Sequence, residues 1–169
     1  MRNNKGYTLI ELAVVVFLIG LMLALAVPSI RDAFVEDGLK TAARQLTGAV
    51  KELRNDAVRE QVDYVLQFDL GEGKFWHYSV DMTPEKKEEM KGRSVPFPTG
   101  VKIADVYHTS DAKTSEGEAQ VNIFKKGYVQ PTVIHLLKGE KYFTLVISPF
   151  LTGIEVYEGY MDVGDLTSS

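Results

Sequence analysis

The chain contains no cysteine, which removes disulfides, thiolate zinc sites and thiol nucleophiles from the inventory together. Histidine is scarce as well. His77, His108 and His135 sit singly in strand-like runs, with no pair at a metal-ligand spacing such as H-E-x-x-H, and read as structural histidines on or under strands. Positive charge is in deficit, with 19 Lys and Arg against 23 Asp and Glu and a net charge of -4. That balance gives no general attraction to nucleic acid, whose binding rests on cations neutralising phosphates. Phosphate cradles are missing too: Gly71 and Gly73 lie between two strand-like runs and read as turn residues. No nucleophile elbow presents a serine on a strand-to-helix turn. The residues argue against an enzyme, and no cofactor or metal is expected.

Two weaker features point the same way. Lys86-Lys87, Lys91-Gly92-Arg93 and Lys125-Lys126 are basic, but Glu85, Glu88 and Glu89 are interleaved with the first two groups and cancel most of their field. The stretch from Glu155 to Ser169 carries Glu155, Glu158, Asp162 and Asp165 without a Lys or Arg, so it repels phosphates. Asp162 and Asp165 alone make a poor calcium cage in the absence of an EF-hand pattern.

What is present is an apolar run at the start. At 169 residues the chain has room for one domain core plus a membrane segment. The mean hydropathy of -0.07 averages an apolar first thirty residues with a charged remainder. From Tyr7 to Val27 only Thr8, Glu11 and Gly20 interrupt the apolar side chains. About twenty helical residues at 1.5 Å each match a bilayer core of roughly 30 Å, so a spanning helix over 7–27 is expected. Arg2 and Lys5 precede it, whereas Arg31, Asp32, Glu36 and Asp37 follow it. The positive-inside bias then keeps the N-terminus cytoplasmic and the C-terminal part outside. Two plainer readings compete: a cleavable secretory signal ending at Ala24-Leu25-Ala26, and a simple anchor. Neither accounts for Glu11, because an ionisable residue at the start of an apolar run is costly unless it meets the interface or a partner.

The ordered stretch Gly6-Tyr7-Thr8-Leu9-Ile10-Glu11 resembles the class III signal of type IV prepilins and type II secretion pseudopilins. The resemblance implies that a prepilin peptidase removes a leader, residues 1–6, by cutting after Gly6, and that the new N-terminal amine on Tyr7 is methylated. Tyr7 stands where the family usually has phenylalanine. The resemblance also implies that Glu11 pairs with the Tyr7 amine of a neighbouring subunit and sets register during filament assembly. An unpaired charge in a low-dielectric helix bundle would be costly, although snorkelling to the headgroups is the plainer reading of Glu11. Pro28 falls at the family's helix-bending proline, and proline removes a backbone donor and clashes with the preceding turn, so a kink is expected there.

Beyond Pro28, Ile30, Phe34, Leu39, Ala42, Ala43, Leu46, Ala49, Val50, Leu53 and Ala57 recur at threes and fours. The amphipathic second half of one helix, 28–60, is expected, with Gly38 and Gly48 as places for local bending. After Gln61 the period drops to two, with a hairpin over Asp63–Asp69 and Lys74–Val80. Met82 to Pro98 is polar and charged, and reads either as a loop or as a short helix with its start at Thr83-Pro84-Glu85 and its stop at Gly92. Strand-like runs resume at 101–107, 121–124, 133–137, 142–147 and 153–157, with 109–117 as an exposed loop. The expected fold is α+β: a long N-terminal helix, transmembrane in its first half, packed on an antiparallel β-sandwich-like domain over 61–169.

Ala43-Arg44-Gln45-Leu46, Asn55-Asp56-Ala57-Val58-Arg59-Glu60, Phe97-Pro98-Thr99-Gly100-Val101 and Leu151-Thr152-Gly153-Ile154-Glu155-Val156 resemble the GspH/FimT subgroup. That resemblance implies the pilin fold and a minor pseudopilin of a type II secretion pseudopilus, which serves export of folded proteins across the outer membrane. Its partners would be other pseudopilins or pilins, the prepilin peptidase and an inner-membrane assembly platform. The alternative implied is a minor pilin of a type IV pilus, acting in assembly, adhesion or DNA uptake. Either places the chain in the inner membrane as a single-pass protein with a periplasmic domain, and in the filament after assembly.

Overall fold

The computed structural model describes residues 8–108, 113–150 and 153–162, and of residues 24–34 the backbone alone. The chain divides into two compact units, Met1–Val35 and Glu36–Ser169. The element order is α1 (Leu9–Glu60), β1 (Tyr64–Asp69), β2 (Lys74–Ser79), α2 (Pro84–Gly92), β3 (Val95–Pro96), β4 (Lys102–His108), β5 (Glu118–Ile123), β6 (Thr132–Lys138), β7 (Lys141–Ile147) and β8 (Ile154–Glu158).

In the second unit α1 buries Leu39, Ala42, Ala43, Leu46, Val50, Leu53 and Ala57 of the stripe that the spacing of threes and fours predicts, while Ala49 is half-buried and the side chains of Ile30 and Phe34 lie outside the described residues. Gly38 has a different role from the bend expected of it. A Cβ there would lie 2.5 Å from Lys138 Nζ and 3.1 Å from its Cδ, so the glycine lets the β6 side chain cross close to the helix backbone. Farther along, Arg54 Nε donates to the Gly127 carbonyl at 2.5 Å, tying α1 to the turn after β5.

The strands form two four-stranded antiparallel sheets, ordered β3-β2-β1-β5 and β4-β6-β7-β8. In the first, Leu66 sits opposite His77 on one side and Val121 on the other. The β1–β2 turn is closed by Gly73, whose φ of 63° suits a residue without Cβ. The Asp69 carboxylate accepts from the Glu72 backbone N–H at 2.9 Å in the same turn. In the second sheet Ile134 faces Val106 and Leu145, all fully buried, and β4 carries an irregularity between Ile103 and Asp105. The predicted strands are present, and β5 begins at Glu118, ahead of its apolar residues. The two-residue β3 had no sequence signal. Of the loop expected over 109–117, residues 109–112 lie outside the described residues, and Thr114 bridges to Val106.

Among the described residues no helix is long and apolar enough to cross a membrane, and the side chains of 24–34, within which Pro28 falls, lie outside the described residues. The expected kink at Pro28 therefore has no structural account here, although α1 is assigned without interruption from Leu9 to Glu60.

Candidate assembly site

At the start of α1 the residues Thr8 and Glu11 cap each other. The Glu11 backbone N–H donates to Thr8 Oγ1 at 3.3 Å, and the Thr8 N–H donates to Glu11 Oε2 at 3.4 Å. This is the reciprocal arrangement of a capping box, which satisfies two of the donors that a helix N-terminus leaves orphaned. The Thr-x-x-Glu spacing carries that signal in sequence, a use of Glu11 beside the two expected of it, pairing in assembly and snorkelling to the headgroups. A carboxylate here also sits well against the positive end of the helix dipole.

The apolar residues that follow have no protein cover. Leu9 is 89% exposed and Met22 73%, and Ile10, Leu12, Val14, Val15, Val16, Phe17, Leu18, Ile19, Leu21 and Leu23 are all exposed as well. A helix that is apolar on every side requires lipid or other helices around it. Gly6 and Tyr7, the expected cleavage and methylation positions, lie outside the described residues.

The β domain carries a second polar arrangement, which no motif announced. Asp105 on β4 and His135 on β6 are buried and adjacent in the ladder, with His135 Nδ1 2.6 Å from Asp105 Oδ1. His135 Nε2 lies 3.0 Å from the Met161 carbonyl. Both ring nitrogens thus face oxygen atoms of the protein. Tyr160 stacks on the His135 ring at 3.9 Å between centroids. Lys113 donates to the Tyr160 hydroxyl at 2.5 Å and reaches Asp105 Oδ2 at 3.1 Å. The Tyr160 and Asp105 oxygens hold its ammonium well above the usual lysine range. Thr144 completes the anchorage by donating to the Gly159 carbonyl at 2.7 Å and accepting from the Met161 N–H at 3.0 Å. The cluster fastens the segment after β8 to β4, β6 and β7.

The remaining candidates separate clearly. His108 Nδ1 lies 3.1 Å from Thr132 Oγ1 inside the sheet, and among the described residues no cluster of metal-ligating side chains occurs. Asp162 is exposed, and Asp165 lies outside the described residues. Two basic residues of α2 lie over the first sheet: Lys87 stands 5.0 Å from the Tyr78 ring centroid and Lys91 5.4 Å from that of Trp76. Lys91 also pairs with Glu118 at 2.8 Å, and Arg93 with Glu89 at 2.5 Å.

Residues 1–27 match the prokaryotic N-terminal methylation motif. The chain is 29% identical over 159 residues to the type II secretion system protein H of Pseudomonas aeruginosa, across 89% of this chain and 82% of that protein. Among solved structures it is similar to the minor pseudopilin EpsH from the type II secretion system of Vibrio cholerae. That likeness has a TM-score of 0.55 at 13% identity, over 76% of this chain and 99% of the other. At that identity the likeness establishes the fold, a helix carrying antiparallel sheets.

Proposed function

We infer that this chain, a GspH-type pseudopilin, acts as a minor structural subunit of a type II secretion pseudopilus and serves the export of folded proteins across the outer membrane. The observation that carries the reading is one chain combining an N-terminal methylation motif over residues 1–27 with similarity to a type II secretion protein H along nearly its whole length. Its work is packing, not catalysis. In this reading residues 1–6 are a leader cut after Gly6, and the freed Tyr7 amine is methylated. Residues 7–27 hold the subunit in the inner membrane with the β domain in the periplasm. The uncovered apolar surface from Leu9 to Leu23 supports this role, because helices of neighbouring subunits can bury it as the filament forms. Glu11 changes partner during that step, leaving its own helix cap for the Tyr7 amine of a neighbour. Other pseudopilins, the prepilin peptidase and an inner-membrane platform are the partners.

The test is a deletion strain scored for exoprotein release, twitching and DNA uptake. Loss of exoprotein release, restored by the wild-type gene, supports the reading. Normal release with failed twitching or DNA uptake overturns it in favour of a minor pilin.

A further inference from the structure

Along one side of the β domain α1 and the free edge of the second sheet leave a continuous groove. Strand β8 is the last in its sheet and, among the described residues, pairs only with β7. Among the described residues no strand takes up its outer backbone donors and acceptors, which can pair with a further strand. Two cavities of about 400 and 390 Å³ lie between this edge and the helix and meet at Thr47. Ile154 lines one and Val156 the other, so alternate β8 side chains face the groove while Glu155 and Tyr157 belong to the opposite face. The helix wall is basic. Arg44 lines one cavity and Lys51 the other, both are exposed, and neither has an ion-pair partner among the described residues. Lys40, by contrast, is paired with Glu36.

We propose that this groove binds an extended, acidic-apolar segment of a neighbouring subunit, which adds to the β8 edge as a further strand. The proposal rests on the pseudopilin reading for the identity of the neighbour. Charge selects the occupant. Two cations with no ion pair among the described residues, above a floor of Ala43, Val50 and Phe143, favour carboxylates on the strand face turned to the helix, with apolar side chains on the alternate residues. Arg44 and Lys51 are two turns apart, about 10 Å along the helix. Two carboxylates on alternate residues of a strand, about 7 Å apart, lie within reach of these long side chains. Main-chain hydrogen bonds to β8 supply affinity, and the two cations and the cavities supply selection.

Two experiments test this. In the first, full-length protein in detergent is titrated with a fluorescein-labelled peptide of alternating valine and glutamate. Binding is expected, weakened at least tenfold by Arg44→Glu combined with Lys51→Glu in protein whose unfolding midpoint is unchanged, and weakened similarly by N-methylation of alternate peptide amides. No binding, indifference to either change, or equal binding of a valine–lysine peptide overturns the proposal. In the second, a photo-crosslinker replaces Val156 in cells and the adduct is sequenced. An acidic-apolar segment of another pilin-like subunit supports the proposal; a second copy of this chain, a basic segment, a lipid or no adduct overturns it. The peptide result does not depend on the secretion phenotype, so failure of the groove and failure of the pseudopilin reading are distinguishable.

Discussion

Asp105 and His135 lie 2.6 Å apart on neighbouring strands with only 4% and 2% of their surfaces exposed, and the ring's other nitrogen reaches the backbone of Met161. Removing one member of such a pair strands the other in a poorly solvated site. Asp105→Ala is expected to cost about 1–3 kcal/mol of folding stability, the cost of leaving a buried hydrogen-bonding group without its partner. Lys113→Ala, which deletes a side chain 49% exposed, should cost less than about 1 kcal/mol. Urea denaturation of the two variants in detergent checks the contrast, and equal losses would show that the buried pair carries no special weight.

Tyr64 gives a prediction in alkali. Its hydroxyl donates to the Glu60 carboxylate, and that bond, with burial behind it, pushes the phenol up from 10.0 to about 12. Between those values the unfolded chain loses this proton before the folded one, so stability should fall as pH rises through the window. Tyr64→Phe should flatten that part of the profile relative to wild type. An unchanged slope in a stability series from pH 9 to 12 would refute the assignment.

The cap that Glu11 makes can be separated from the pairing proposed for it in the filament. Glutamine serves at the third position of a capping box but carries no charge for an amine. Glu11→Gln is therefore expected to keep the helix start and membrane insertion and to block incorporation into filaments. Glu11→Ala should do the same to incorporation. Filament pull-down and membrane fractionation read the two outcomes, and normal incorporation of the glutamine variant would mean that the cap alone matters.

Gly38 and Lys138 offer a test of packing. Alanine gains about 1 kcal/mol of helix propensity over glycine, but its Cβ would meet the Lys138 side chain. Gly38→Ala alone should fall within about 1 kcal/mol of wild type. Added to Lys138→Ala, the same change should stabilise by about 1 kcal/mol, because the obstacle is gone. A double-mutant cycle from thermal or urea unfolding measures the coupling.

These residues also mark what could be read from the chain. The helix stripe from Leu39 to Ala57 and the strand cores around Phe68, Ile134 and Leu145 announce themselves because burial imposes periods of 3.6 and 2 on local sequence. Strand β5 begins with Glu118, Ala119 and Gln120 on an edge, where one face is solvated and the apolar signal is weak. The Asp105–His135 pair joins residues thirty positions apart, and only the β4–β6 register brings them together. The role of Gly38 depends likewise on the path of a side chain from β6. The Thr8–Glu11 cap is local and was present in the letters, but the resemblance to prepilins supplied another use for the same carboxylate.

The short helix α2 buries none of its residues. Two ammonium–ring contacts and the Lys91–Glu118 pair link it to the first sheet. It is thus held by forces that salt screens, whereas the sheets beneath are held by burial that salt leaves intact. Its amides should exchange with solvent deuterium long before those of β1 and β6, and faster still at high ionic strength, making it a separate low-energy opening unit of the domain.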